Sequence, residues 1–228
     1  MTLERTLHHF TLDPASRQVR LTMQEKRLPY SEQIERYWER PKSLADLNPS
    51  GIPPVLIEQD GPKRVVVCES HAILEHLEET YPGVKLLSAD PAERAEARRL
   101  SQWFERQFDG QVNGFLLAEK MEKRLTGGGS PDHGAMRAGR EALRRHLRMM
   151  EDLLGVRDWL AGRDLSIADF AGAAHLSVID YFGDVPWRDF PITKMWYMRL
   201  KSRPSFRPLL TDRWPGMIPA QDYDNLDF

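Results

Sequence analysis

The β-strand signals in this chain stop at Pro91, and from there the pattern is helical to beyond residue 200. A chain that changes its hydrophobic period once, midway, builds two units of different class rather than one mixed layer. Ahead of the change, the runs TLHHF, RQVRLTMQEKR, VLIEQ, VVVCES and HAILEHLEETY read as a β/α unit followed by a hairpin and a helix. Behind it, Leu100, Trp103, Phe104, Phe108, Val112, Phe115 and Leu116 trace one face of a long helix, and Met136, Leu143, Leu147, Met150 and Leu154 repeat that face. The glycine-rich TGGGSPDHG separates the two as a flexible loop. YPGVKLLSADP reads as a linker, which places an α/β unit over 1–86, an all-α unit over 91–210 and a tail over 211–228. The tail, rich in Pro and Asp and without helical period, is expected on the surface.

One helix start is marked most clearly. In LSIADF, Ser166 is an N-cap, Asp169 completes a capping box, and Leu165 faces Phe170 as a staple. Ala171, Gly172, Ala173 and Ala174 then make a slim helix that can run through the middle of a bundle.

Composition narrows the function classes. With 228 residues and 41% of them hydrophobic, the chain can bury a core, which excludes disorder for most of it. Lys plus Arg number 32 against 34 Asp plus Glu, a net charge of −2, so a general nucleic-acid or anionic-surface binder is not expected. Cys68 is the single cysteine, which excludes an internal disulfide and a multi-thiolate metal centre. No apolar run reaches membrane-spanning length, and MTLERTLHHF lacks the pattern of a signal peptide, so a cytoplasmic protein without membrane insertion is expected. No metal site is expected: His8 and His9 point to opposite faces of a strand, and His71 and His76 are five residues apart on a helix. Cys68, in an apolar run, reads as a buried inert thiol.

NPSGIPPVL, VCESHAILEHLEETYP and WLAGRDLSIADF, in that order and spacing, resemble the cytosolic glutathione transferase family over roughly residues 5 to 210. The resemblance implies a thioredoxin-like N-terminal domain followed by an all-helical one. It also implies that Glu69 and Ser70 hold the γ-glutamyl group of glutathione, although Ser70 equally suits a helix cap. The family's cis-proline falls at Pro54, preceded by Pro53, which has no N–H to offer; a one-residue deletion would instead make Pro53 the cis residue. The thiol-activating donor maps to Asp13, where a carboxylate repels a thiolate and where an N-cap ahead of Pro14 is the simpler role. Ser16, one turn deeper, is the alternative donor and the candidate catalytic residue of an enzymatic reading. No cofactor is expected beyond residual glutathione binding.

Tyr37 and Trp38 stand among Glu35, Arg36, Glu39 and Arg40, as either an interface anchor or local core. Asp13, the glycine-rich break and the DYDNLDF ending are similar to glutathione-transferase-like division proteins of alphaproteobacteria, which bind the tubulin-like FtsZ. That similarity implies a non-enzymatic adaptor at the division site, a homodimer through the third and fourth helices, and a link from FtsZ filaments to septal wall synthesis. Tyr37, Trp38, Phe115, Glu119 and Lys120 on the rim of the inter-domain cleft, and Asp227 and Phe228 in the tail, are the expected partner contacts. The tail is expected to act separately from the cleft, or else to cover the helical domain through Trp214, Met217, Tyr223 and Phe228.

Overall fold

The computed structural model describes residues 3–226. Four strands form one sheet in the order β2-β1-β3-β4: β1 (Glu4–His9), β2 (Ser31–Ile34), β3 (Val55–Asp60) and β4 (Lys63–Cys68). β1 runs parallel to β2 and antiparallel to β3, and β3 and β4 form the hairpin. α1 (Pro14–Glu25) makes the β1–β2 crossover, the short α2 (Lys42–Leu47) precedes β3, and α3 (Ser70–Thr80) follows β4. This is the thioredoxin-like arrangement.

The segment read as a linker is fastened. Lys26 meets Glu78 at 2.6 Å and donates to the Val84 carbonyl, Glu78 accepts from the Leu86 N–H, and the Leu86 carbonyl accepts from Ile167. Leu86 is buried.

The helical unit opens with α4 (Pro91–Trp103), capped by Asp90, and continues without a break to Thr126 through wide turns at Phe104–Asn113, α5 (Gly114–Leu117), wide turns at Ala118–Glu122, and α6 (Lys123–Thr126). The wide turns are the feature that the 3.6-residue reading missed. Leu100, Phe104, Phe108, Val112 and Leu116 are fully buried and repeat every four residues. In a regular helix each such step drifts by about 40°, and turns with i→i+5 bonding absorb the drift so that the stripe stays on one side.

After α7 (His133–Leu154) comes α8 (Ile167–Tyr181), all of whose residues are buried, as expected of a central helix. Asp169 does more than close its cap. One oxygen accepts from Ser166 N–H (2.9 Å), while the other accepts from the Leu160 N–H and from Trp196 Nε1 (both 2.9 Å) on α9 (Pro191–Lys201). Gly172 is slim by necessity, since a Cβ there would lie 2.8 Å from the Phe104 ring.

α1 packs against α8 across the domain boundary. The fully buried Arg17 reaches from α1 to Ser177 Oγ (2.8 Å), Tyr223 OH (3.0 Å) and Asp212 (3.2 Å), and Arg20 adds a second hold on Asp212 at 2.7 Å. Of the two readings of the tail, a surface segment or a cover over the helical domain, the structure combines parts of both: the described tail is mostly exposed and anchored at a few buried points. After α10 (Arg207–Thr211) the chain is drawn into the domain junction, with Asp212, Met217 and Tyr223 buried. The reason is the pair of buried guanidinium groups on α1, which need a carboxylate and find it at Asp212. No helix of the described residues is long and apolar enough to cross a membrane.

Candidate functional site

The turn from β4 into α3 places Glu69 at φ +69°, a left-handed conformation that a non-glycine residue keeps only when its surroundings impose it. Those surroundings are explicit. Its carboxylate accepts from Asn48 Nδ2 and Ser50 Oγ (both 3.1 Å), its N–H donates to the Pro54 carbonyl (3.2 Å), and Asn48 also ties back to the Ile52 carbonyl (2.9 Å). The Pro53–Pro54 bond is cis, which decides between the two alternatives in favour of Pro54. Pro53, without an N–H, occupies the position before it.

Ser70 is the buried first residue of α3, and the cap position falls on Glu69, whose side chain caps nothing. The simple capping role for Ser70 is thus corrected. Near it on the long helix lies Glu105, which accepts from Gln102 Nε2 (2.8 Å) and Ser101 Oγ (3.4 Å) and whose pKa burial pushes up. Glu105, Asn48 and Ser50 were not found by sequence reasoning. NPSGIPPVL points in the sequence only to its prolines, and Glu105 is brought in from the long helix by tertiary packing. Acceptor carboxylates beside the N–H groups of a helix start suit a zwitterionic amino-acid end.

The thiol position is built differently. Asp13 is the N-cap of α1, accepting from Ser16 N–H at 2.7 Å, with Pro14 first in the helix. Burial raises its pKa to about 6, with a further push from the charge of Asp109 and opposition from the Ser16 and Ala15 hydrogen bonds. An ionised Asp13 near the charge of Asp109 puts negative charge at the start of α1, and a thiol placed beside it would have its pKa raised rather than lowered. Ser16 lies one turn deeper. It is fully buried with its hydroxyl accepting from Phe10 N–H (3.2 Å), an inward position fixed by the β1–α1 turn. Cys68 is half-buried, its thiol directed to the Leu47 carbonyl (3.3 Å) and its pKa raised by burial and by Glu69. His8 meets Glu35 at 2.7 Å and His76 meets Glu58 at 2.8 Å, and among the described residues no group of three His, Cys, Asp or Glu side chains could hold a metal ion.

The rim residues separate into two groups. Trp38 is half-buried, in edge-to-face contact with Phe10, Tyr37 and Trp214 at centroid distances of 5.2, 5.3 and 5.7 Å. Tyr37 donates to Glu122. The helical residues that share a groove with Trp38 are Arg124 and Leu125. The other group faces elsewhere. Phe115 backs onto α7, where a Cβ on Gly139 would lie 2.9 Å from it, and Lys120 bonds Asp184 and the Phe182 carbonyl. Glu119 is buried, accepting from Asp132 N–H (2.6 Å) and pairing with Lys123. The expected grouping of Trp38 with Phe115, Glu119 and Lys120 is corrected accordingly: Glu122 meets Tyr37 and Arg124 lines the Trp38 groove, while Glu119 is held by Asp132 and Lys123. Asp227 and Phe228 lie outside the described residues.

Comparison with known proteins agrees with this geometry. Residues 14–80 match the family model for the glutathione S-transferase N-terminal domain, and residues 119–204 that for its C-terminal domain. FtsZ-localized protein A of Caulobacter vibrioides is 67% identical over 228 residues, covering all of both chains. Among solved structures, FzlA from C. crescentus superposes with a TM-score of 0.98 at 67% identity, covering 99% of this chain and all of that one. A glutathione S-transferase from Rhodospirillum rubrum F11 superposes with a TM-score of 0.95 at 48% identity over 98% of this chain and all of that one. Matched in both domains and along its whole length, the chain belongs to the glutathione S-transferase family and groups there with FtsZ-localized protein A.

Proposed function

We propose that this chain is a cell-division adaptor that binds FtsZ filaments at the division site, rather than a glutathione-conjugating enzyme. The observation that carries the reading is full-length identity of 67% to FtsZ-localized protein A, in a chain whose thiol-activating position holds a carboxylate. A fold reused for binding keeps its packing and loses its proton donor, which describes Asp13. Trp38, with the exposed Arg36 and Arg124 beside it, is the partner contact in this reading. An aromatic surface flanked by charge suits a transient interface, where a few anchors carry most of the energy.

The adaptor acts as a homodimer, so that two binding faces raise the effective concentration of neighbouring filaments and bundle them. The bidentate Arg98–Glu75 pair at 2.7 Å, which links α4 to α3, and the sheet edge at β4 with Val66 exposed support that interface. A septal wall-synthesis protein is the second partner, through the tail. Retention of the Asn48–Ser50–Glu69 cradle favours residual glutathione binding without conjugation.

Co-sedimentation with purified FtsZ filaments, run beside a calorimetric glutathione titration and a conjugation assay with a generic electrophile, tests the reading. Filament binding with no turnover is expected. Turnover at ordinary transferase rates without filament binding would overturn it.

A further inference from the structure

The segment that carries Trp38 follows β2, which pairs with β1 up to the Glu35 N–H on the His9 carbonyl (2.7 Å), and Tyr37 ties it to the long helix by donating to Glu122. All four residues of β2 are exposed, and the single turn Tyr37–Glu39 has no side-chain cap and ends at Arg40 with φ +52°. One such turn does not persist in isolation. Besides the Tyr37–Glu122 bond, it is rings that hold Trp38: Phe10, fully buried at the end of β1, and Trp214, which meets Trp38 at 5.7 Å and Phe10 at 4.9 Å, both edge-to-face. The three rings form a closed triangle, with Phe10–Trp38 at 5.2 Å.

Trp214 belongs to the C-terminal segment, which regular structure does not hold either. It is fastened on both sides. Upstream, Asp212 is gripped by Arg17 and Arg20. Downstream, Arg124 donates to the Gly216 carbonyl (3.3 Å), Tyr181 OH to the Met217 carbonyl (2.5 Å) and Ala220 N–H to the Tyr181 carbonyl (2.8 Å), while Tyr223 OH donates to the Leu209 carbonyl (2.9 Å). Trp38, Trp214 and Met217 share one groove with Arg36 and Arg124.

We propose that Trp214 is the positioning residue for Trp38, so that residues 212–223 form a strap that builds the partner surface from behind and the cleft rim and the C-terminal segment act as one unit. This rests on the reading of Trp38 as the FtsZ contact. The physical ground is preorganisation. Without the Trp214 ring, Trp38 loses one of its edge-to-face partners, the turn at 36–40 samples other conformers, and binding must then restore the order.

The test uses the full chain as Trp214→Ala, Trp214→Phe and Trp38→Ala, in co-sedimentation with FtsZ filaments and in amide hydrogen exchange of the free protein. Trp214→Ala is expected to weaken apparent filament affinity about tenfold, the scale of one or two aromatic pairs. It should also speed exchange at 36–40 while leaving Val55–Cys68 unchanged. Trp214→Phe keeps an edge for Phe10 and Trp38 and is expected to retain most of the binding. Should Trp214→Ala lose its cooperative melt, Trp214→Leu, which fills volume without a ring, carries the same expectations. Unchanged exchange at 36–40, or wild-type binding by Trp214→Ala where Trp38→Ala fails, would overturn the proposal. If Trp38→Ala binds as the wild type does, the assignment of Trp38 to the partner surface fails, and the exchange measurement alone decides whether Trp214 positions it.

Discussion

Asp13→Asn removes a charge and little else. Asn is as good an N-cap as Asp, so the acceptor for Ser16 N–H survives while the repulsion with Asp109 and the desolvation of a carboxylate are relieved. With the folded pKa near 6 against an ordinary 3.8, the folded protein holds a proton on Asp13 between about pH 4 and about pH 6 that the unfolded chain has already released. Stability contributed by this group therefore falls as pH rises through that window and stays low above it. A displacement of about two units corresponds to about 2–3 kcal/mol. The Asn variant should match the wild type near pH 4, where Asp13 is protonated in the fold, and exceed it by about 2 kcal/mol at pH 7.5, or about 4–8 °C in melting temperature for a chain of this length. Urea titrations of both proteins at half-unit intervals from pH 4 to 8 isolate Asp13, because the other carboxylates cancel in the difference. Asp109→Asn in the same background should shrink the difference, since it removes one of the causes. A difference that is flat with pH, or an Asn variant less stable than the wild type at pH 7.5, would refute the account of Asp13 as a charge held against its environment.

Glu119→Lys removes the acceptor of Asp132 N–H and reverses the pair with Lys123, so it should lower the urea midpoint and speed amide exchange at 130–136. Gly172→Ala should also destabilise, by about 1–3 kcal/mol, because the clash with Phe104 and Leu160 outweighs the roughly 1 kcal/mol that alanine adds to helix propensity; a rise in urea midpoint would show that the Phe104 ring moves aside freely.

The sequence makes the architecture legible because its strongest local signals coincide with its tertiary demands. The Ser166–Asp169 box marks a helix start, and the same Asp169 carboxylate pins Leu160 and Trp196, so the local motif also marks the centre of the bundle. The four-residue spacing from Leu100 to Leu116 announces a helix but conceals the wide turns, since a period between α and π geometry looks like an α-helix with a drifting face. Residues that act through distant partners leave no such trace. Arg17 sits in an ordinary amphipathic stretch, and only the fold brings it to Asp212, 195 positions away. Charge around Trp38 suggested exposure, whereas its coverage comes from Phe10 and from Trp214, which lies in a segment without periodicity.

In the adaptor reading proposed above, Asp13 accounts for how this fold could lose its chemistry without losing its shape. The residue after the first strand has two separable duties in a transferase: to accept the free N–H groups at the start of α1, and to offer a proton to sulfur. A hydroxyl performs both; a carboxylate performs only the first. The structural duty is fully met, as the 2.7 Å bond from Ser16 records, so packing of α1 against α8 is undisturbed. The helix then carries Arg17 and Arg20 on its buried side, and these capture Asp212 and through it the strap. The helix that Asp13 caps thus organises the segment behind Trp38. Loss of proton donation at one end of α1 and the grip on the C-terminal segment along its side are physically independent, which is what allows a binding surface to be assembled on a catalytic scaffold.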